Sequence, residues 1–303
     1  GVIDSSDLPL NVSREILQDS KAVEAIRSGT VKKILSSLED MAKKKPDNYE
    51  KFWNEFGRVL KEGPAEDFTN KEKISGLLRF STTNDESDKQ SASFDDYIGR
   101  MKQEQECIYY ITADSFMAAK NSPHLEIFKK KGIEVLLLGD RVDEWLISNL
   151  TEFKSKKFQS IAKGDLDLGK LENESEKDKK KKIEEKAKTL IEKIKISLGN
   201  KVKDVKVTHR LTDSPACLVV GEHDISGNLE RILKAAGQNT PDNKPILEIN
   251  PEHKLIEKLA TFEGTGDFDE YTSVIFDQAM LSEGAQLDDP VDFVKKINRF
   301  LVK

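Results

Sequence analysis

The chain has 303 residues, of which 37% are hydrophobic and 34% are charged, and its formal net charge is −6. Its length allows two or three domains with hydrophobic cores. The negative charge argues against a nucleic-acid binder that works by phosphate neutralisation. No apolar run approaches the ~18 residues of a membrane span, and no signal peptide is predicted.

The two cysteines are too few for a disulfide framework. Cys107 and Cys217 both lie in apolar, strand-like segments. They are predicted to be small buried thiols in a reducing cytoplasm.

The segment Leu8–Gln18 predicts a helix that exposes an arginine and an amide together. Asn11 and Ser13 are good N-cap residues. Arg14 and Gln18 are four residues apart, so they share one helix face. By chemistry alone, a surface salt bridge is the ordinary role of such an arginine.

Residues 20–80 predict three helices, because apolar side chains recur at helical spacing. Lys43–Pro46 ends the first helix, and the pair Gly63 and Pro64 is predicted to break the second. The second helix carries an aromatic stripe, which we interpret as core. The stripe comprises Tyr49, Phe52, Trp53 and Phe56.

A polar loop is predicted over residues 81–93, and strands then alternate with helices up to residue 161. Cys107–Thr112 and Ile133–Leu138 have the apolar character of buried strands. Strands that alternate with helices indicate a parallel sheet layered with helices.

Residues 172–193 are dominated by interleaved lysines and acids without aromatic residues. This pattern favours a linker and a solvated helix face over a nucleic-acid interface. Beyond it, residues 205–211 and 216–220 are predicted to pair as a hairpin, because a turn sequence separates them. A third strand is predicted at 245–249.

Two helices are predicted near the end of the chain, over residues 267–282 and 289–302. Both carry apolar side chains on more than one face, so each must be buried on several sides. A terminal pair achieves this by packing against a second copy as a four-helix bundle with two-fold symmetry.

No self-contained active site is predicted. The sequence lacks a Walker A loop, and its four histidines lie in different elements without metal-ligand spacing, so no metal site is expected. Ser160 and Lys163 match an S-x-x-K pattern. In a chain rich in both residue types, such a short match is expected by chance.

Five segments closely resemble motifs of the heat-shock protein 90 molecular chaperone family, especially its bacterial HtpG type. They are Gly1–Gln18, Tyr109–Asp114, Gly132–Val135, Arg210–Val219 and Glu248–His253. The resemblance covers essentially the whole chain. Because the chain starts without Met inside a family motif, we expect a fragment that comprises the later middle domain and the C-terminal domain.

The expected fold class is therefore α/β (α+β), in four consecutive parts. Residues 1–83 form a helical segment, and 84–170 form a small αβα sandwich. Residues 171–183 form a charged linker. Residues 184–303 form a mixed α+β dimerisation domain that ends in a helix pair.

In this family, an arginine of the middle domain reaches the γ-phosphate of ATP held in a separate N-terminal domain. The resemblance assigns that role to Arg14, assisted by Asn11 and Gln18, and an arginine from outside the pocket stabilises phosphoryl-transfer charge. The fragment alone is expected to have neither enzymatic activity nor a cofactor. The full-length parent is expected to be an ATPase that uses ATP and Mg.

The resemblance also implies two groups of client-binding residues. The first is the pair Glu144 and Trp145, although Ser148 stands where the HtpG pattern has a polar amide. The second is a stripe that lacks the family's usual methionines and could equally be core. It comprises Ile225, Leu229, Ile232 and Leu233.

The dimerisation residues implied by the family lie in the last two predicted helices. They are Tyr271, Ile275, Phe276, Met280, Phe293, Ile297, Phe300 and Leu301.

The expected partners are a second copy of the chain and unfolded or partly folded client proteins, with another ATP-dependent chaperone system as a further candidate. Neither nucleic acid nor a membrane is expected. The last residues lack the acidic tail of the eukaryotic cytosolic forms and an endoplasmic-reticulum retention signal, which favours a bacterial, cytoplasmic stress-response protein.

Two alternatives stay open. One is a non-enzymatic helical adaptor or scaffold that binds one fixed partner. The other is a hydrolase that uses Ser160 and Lys163.

Overall fold

The computed structural model describes residues 21–85, 87–166, 168, 171, 174–240 and 243–302. The chain divides into two compact units, one ending at Leu78 and the other beginning at Arg79. The predicted domain boundaries after residues 83, 170 and 183 fall within the second unit and stay predictions.

The described part of the first unit is helical. It consists of α1 (Lys21–Lys44), α2 (Pro46–Glu66) and α3 (Lys71–Leu77), with a 3-10 turn at Phe68–Asn70. The three predicted helices are thus confirmed. Tyr49 and Trp53 of the aromatic stripe are buried, but Phe56 is exposed.

The predicted helix break at Gly63 and Pro64 is wrong, because α2 continues to Glu66. Pro64 is buried and lies two residues before the end of α2, so the hydrogen bond that it removes affects only the last turn of the helix. Gly63 serves packing instead, since a Cβ at this position would lie 2.9 Å from Cγ2 of Ile74 in α3.

The second unit begins with a five-stranded sheet in the spatial order β1, β3, β2, β5, β4. The three central strands are parallel, as predicted, and the two edge strands are antiparallel to their neighbours. The strands are β1 (Ser81–Thr82), β2 (Cys107–Thr112), β3 (Leu136–Leu138), β4 (Glu152–Phe153) and β5 (Lys156–Ser160). Strand β1 begins the segment that was predicted to be only a loop.

Four helices accompany this sheet. They are α4 (Phe94–Arg100), α5 (Phe116–Lys120), α6 (Glu126–Lys131) and α7 (Arg141–Asn149).

The helices cover both faces of the sheet. Ile108 and Tyr109 are consecutive in β2, so their side chains point to opposite faces. Phe158, in register with Ile108, lies 5.0 Å from Phe94 of α4 between ring centroids. Tyr109 lies 4.9 Å from Phe128 of α6. The predicted αβα sandwich is therefore confirmed.

Helix α8 (Glu174–Leu198) includes most of the charged segment and leads into a second, three-stranded sheet. Its strands are β6 (Asp204–Val207), β7 (Ala216–Val219) and β8 (Ile246–Ile249). Four further helices are α9 (Gly227–Ala235), α10 (Lys254–Thr261), α11 (Asp267–Ser282) and α12 (Pro290–Val302).

The predicted hairpin of β6 and β7 is wrong. Strand β8 lies between them, parallel to β6 and antiparallel to β7. The central strand of this sheet needs side chains that can be buried, and Leu247 and Ile249 of β8 are fully buried. The turn sequence favoured a local pairing, but burial of β8 places a distant strand in the middle.

Both cysteines are free, and Cys217 is buried as predicted. Cys107, by contrast, is only partly buried. Burial raises the pKa of both thiols, which keeps them protonated near neutral pH.

A buried arginine ties the two sheets of the second unit together. Nε of Arg210 lies 2.7 Å from Oε2 of Glu248 in β8. Its Nη1 donates to the carbonyl of Ile161, just after β5, at 2.5 Å, and its Nη2 to that of Gly164 at 2.9 Å. These bonds compensate for the desolvation of the two charges.

A carboxylate makes a second connection between the two sheets. Oε2 of Glu126, at the start of α6, accepts the backbone N–H groups of Thr212, Asp213 and Ser214. Oε1 accepts the Ser214 hydroxyl. Burial alone would raise the pKa of Glu126, but these donors outweigh burial and lower it below its ordinary value of 4.5.

We expect Arg210→Ala to lower the free energy of unfolding by about 3–5 kcal/mol, because it leaves a buried carboxylate without its partner. Urea unfolding followed by circular dichroism measures this loss. Lys206→Ala is the matched control, because its ion pair with Asp165 is partly exposed and should contribute less than about 1 kcal/mol. Equal losses in both variants would contradict the role of the buried pair.

We expect Glu126→Gln to destabilise the chain by about 1–3 kcal/mol at pH 7, because the charged acceptor of several N–H groups is lost. A lowered pKa in the folded state means that this stabilisation is present above pH 4.5 and disappears as the pH falls through the folded-state pKa. Urea midpoints between pH 7 and pH 3 test this. If the difference in urea midpoint between Glu126→Gln and the unaltered chain did not shrink on acidification, the role of the Glu126 carboxylate would be contradicted. Glu152→Gln, at an exposed carboxylate, is the control.

Candidate functional site

The residues predicted to contact ATP are Asn11, Arg14 and Gln18. They lie outside the residues that the structure describes, so their role stays a prediction.

Helix α7 presents the predicted pair Glu144 and Trp145 in opposite ways. The helix begins with a capping box of Asp140 and Asp143. Consecutive helical residues differ by about 100° in direction. Accordingly, Glu144 is 7% exposed, whereas Trp145 is 52% exposed. The tryptophan is therefore free to contribute to a surface, and the glutamate is not.

The carboxylate of Glu144 reaches the N-terminus of α9. Its Oε1 accepts the Ser226 hydroxyl at 2.8 Å and the Asn228 side-chain amide at 2.9 Å. Ser226 is also the N-cap of α9, since its Oγ accepts the N–H of Leu229 at 3.0 Å. We call Glu144, Ser226 and Asn228 the α7–α9 joint.

Lys163 supports the segment that leads into this joint. Its Nζ donates to the carbonyl of Asp224 at 2.8 Å. Burial lowers the pKa of Lys163, and the nearby charges of Glu144 and Asp224 oppose that shift. Burial, together with Glu144, raises the pKa of Tyr110 to about 12. The Tyr110 phenol is therefore neutral at physiological pH.

The Ser160 and Lys163 of the hydrolase alternative lie beside the same joint. Ser160 is on β5 and is hydrogen-bonded to the side chain of Tyr110. Lys163 is bonded to a backbone carbonyl. In the structure, both side chains thus hold neighbouring elements.

The predicted stripe on α9 is only partly covered. Leu229, Ile232 and Leu233 lie on α9, whereas Ile225 precedes its N-cap, and all four have intermediate burial. The one buried residue of α9 is polar, Asn228. This helix therefore has an amphipathic sequence whose apolar side is not sealed into the core.

A second polar contact holds α9 further along its length. Nε of Arg231 lies 3.1 Å and its Nη2 2.9 Å from Oδ2 of Asp114, which follows β2. Polar contacts at two points along α9 thus connect it to the αβα sandwich.

The predicted dimerisation residues fall into two groups in the structure. Tyr271, Ile275 and Phe276 of α11 are buried in the core that also contains α8 and β8. Met280 and Phe300 pack against that core. Phe293 and Ile297 have intermediate burial, and Leu301 is 78% exposed. Of these eight residues, only Leu301 is exposed, and Tyr271, Ile275 and Phe276 are not available to a partner.

The structure adds four residues to the predicted sets, namely two exposed valines of α12 whose apolar character the sequence already shows and two buried polar residues beside Glu144. Val291 and Val294 of α12 are exposed and lie on the same side of the helix as Leu301. Their helical spacing from Leu301 can be read from the sequence. Ser226 and Asn228 complete the α7–α9 joint. Ser226 could be identified as an N-cap from sequence, but its bond to a residue 82 positions earlier could not.

In the described ranges, no group of three or more His, Cys, Asp or Glu side chains could hold a metal ion. Among the same residues, no helix has both the length and the apolar character needed to cross a membrane.

Known proteins resemble this chain over its whole length. The family model described as "Hsp90 protein" matches residues 1–303. Three bacterial relatives carry the name chaperone protein HtpG. They come from Dechloromonas aromatica (61% identical over 302 residues), Chromobacterium violaceum (58% over 303) and Nitrosococcus oceani (56% over 302).

Each alignment covers 100% of this chain but only 47% or 48% of the relative. The chain thus spans about half the length of the curated relatives it matches. A family match over all of its residues, together with identities well above half, settles its membership. The chain belongs to the heat-shock protein 90 family of molecular chaperones.

Proposed function

We propose that this chain is the middle and C-terminal part of an ATP-dependent, homodimeric chaperone that binds partly folded client proteins. The observation that carries the proposal is the surface formed by the half-exposed Trp145 and the incompletely covered apolar stripe of α9. Apolar surface of this kind favours the binding of exposed hydrophobic segments.

The proposed clients are unfolded or partly folded chains. Their apolar side chains would contact Trp145 and the stripe of α9. Isoleucine and leucine adapt their shape less readily than the methionines usual in this family. We therefore expect recognition through apolar area that tolerates less variation in client shape than a methionine-rich surface would.

The proposed role of Arg14 belongs to the full-length parent, which would bind ATP and Mg in its N-terminal domain. The arginine would stabilise the charge that develops on the transferred phosphoryl group, with Asn11 and Gln18 assisting. By itself, this chain would supply the arginine segment without hydrolysing ATP.

We propose dimerisation through the outer side of α12. The inner side of this helix is already used, because Phe300 contacts Tyr271 and Phe262 at centroid distances of 4.9 Å and 6.2 Å. Val291, Val294 and Leu301 remain exposed. Two copies that pack these sides together would form a symmetric helical interface.

The family further suggests a cytoplasmic, stress-related role. Another ATP-dependent chaperone system is a candidate partner.

We expect Arg14→Ala in the full-length parent to slow ATP hydrolysis by about 10²–10³-fold, because one stabilising donor in the transition state is lost. ATP affinity should change little, since the arginine comes from outside the nucleotide pocket. Steady-state hydrolysis and equilibrium ATP binding measure the two effects. Arg27→Ala, at an exposed arginine of α1, is the control, and normal turnover in Arg14→Ala would refute the assignment.

We expect the double variant Val294→Asp and Leu301→Asp to be monomeric where the unaltered chain is dimeric, because it places charges in an apolar interface. Light scattering during size-exclusion chromatography measures the mass. Both sites are exposed, at 53% and 78%, so folding should be retained. Ile196→Asp on α8, at 80% exposure, is the matched control. A variant that stays dimeric would exclude this side of α12 as the interface.

A further inference from the structure

Glu144 is too deeply buried to act as a contact for a client protein. Only 7% of the residue is exposed, and Oε1 already accepts two hydrogen bonds. Both donors are buried as well, Ser226 at 9% and Asn228 at 6% exposure. A client on the surface therefore meets Trp145 but not the carboxylate beside it.

Polar contacts contribute to the position of α9. A surface helix is ordinarily held by an apolar side that is sealed into the core. Here the apolar residues of α9 are only half-covered, and the buried residue is Asn228. Asn228 donates to Glu144, while the partly exposed ion pair of Arg231 and Asp114 forms the other connection. Such exposed ion pairs contribute little to stability.

The α7–α9 joint also sets the direction in which α9 begins. The hydroxyl of Ser226 accepts the N–H of Leu229 and donates to Glu144, so one side chain links the helix end to the carboxylate. A negative charge near a helix N-terminus is favourable, because the macrodipole is positive there. The joint therefore couples the orientation of α9 to α7, on which Trp145 stands.

We propose that Glu144 is a positioning residue that acts through Ser226 and Asn228 to hold the apolar stripe of α9 beside Trp145, so that one apolar segment of an unfolded client can contact both helices. This inference rests on the proposed client-binding function. It changes the role that the family resemblance gives Glu144, from a client contact to an internal support of the surface.

The test is a double-mutant cycle on the 303-residue chain. The variants are Glu144→Ala, Asn228→Ala and their combination. The probe is reduced, carboxymethylated lactalbumin, which stays unfolded, and its dissociation constant is measured by fluorescence anisotropy. We expect Glu144→Ala to weaken binding by about tenfold, Asn228→Ala by a smaller factor, and the combination to weaken it no further than Glu144→Ala alone, because the bond of Asn228 is one of the two that Glu144→Ala removes.

A conservative variant distinguishes a positioning role of the Glu144 side chain from a direct role of its charge in client binding. Glu144→Gln keeps a side-chain oxygen that accepts from Ser226 and Asn228, so its affinity should stay within about threefold of the unaltered chain. If the carboxylate contacted clients through its charge, Glu144→Gln would bind as weakly as Glu144→Ala. Glu152→Ala, at an exposed carboxylate on β4, is the matched control and should bind normally.

Amide hydrogen exchange provides a measurement that would not change if Glu144 acted only as a direct contact for the client. In the absence of client, the amides of residues 229–235 should exchange about tenfold faster in Glu144→Ala and Asn228→Ala, because α9 opens more often. Trp145→Ala should leave this exchange unchanged while weakening client binding. Unchanged exchange in Glu144→Ala, or normal client affinity in Asn228→Ala, would overturn the positioning role.

The same set of variants distinguishes this inference from the proposed function. Normal binding in Trp145→Ala would refute the proposed client surface itself. Weak binding in Trp145→Ala with normal binding in Asn228→Ala would keep the surface and reject only the support by Glu144.

Discussion

The buried contact of Arg210 with Glu248 is the interaction on which the second unit depends. Its guanidinium also donates to the carbonyls of Ile161 and Gly164, so one side chain connects the three-stranded sheet to the end of β5. Charges taken out of water are tolerated only where all their donors and acceptors are used. Together with Glu126 of α6, which accepts the N–H groups of the turn after Arg210, this pair connects the αβα sandwich to the C-terminal sheet.

That connection has a consequence for α9, because this helix begins shortly after β7 and lies against the sandwich. With the sheets held together, Glu144 of α7 comes within hydrogen-bond distance of Ser226 and Asn228. The exposed Trp145 therefore lies on a helix that is hydrogen-bonded to the start of α9, although about 80 residues separate the two helices in the chain. Apolar side chains that stay half-covered cost stability, and a client that covers them recovers it.

Much of the fold could be predicted from the periodicity of apolar residues and from the residues that end helices and strands. The bounds of α11 and α12, the parallel order of β2, β3 and β5, and the apolar side of α8 all follow from local patterns. Two interpretations were wrong for the same reason. Pro64 is buried within α2, which continues past it to Glu66, and β6 does not pair with β7 because β8 packs between them. In both cases packing overrides a local signal.

By itself, the sequence determined the family of the protein, its helices and strands, and the apolar residues from which surfaces could be built. Only the tertiary structure decided which of those residues stay exposed. It buries Glu144 but exposes Trp145, and it buries Tyr271 but exposes Leu301, although sequence patterns group the members of each pair. The physical reason is that exposure depends on what packs against a side chain, and the partners of Glu144 lie more than 80 positions away.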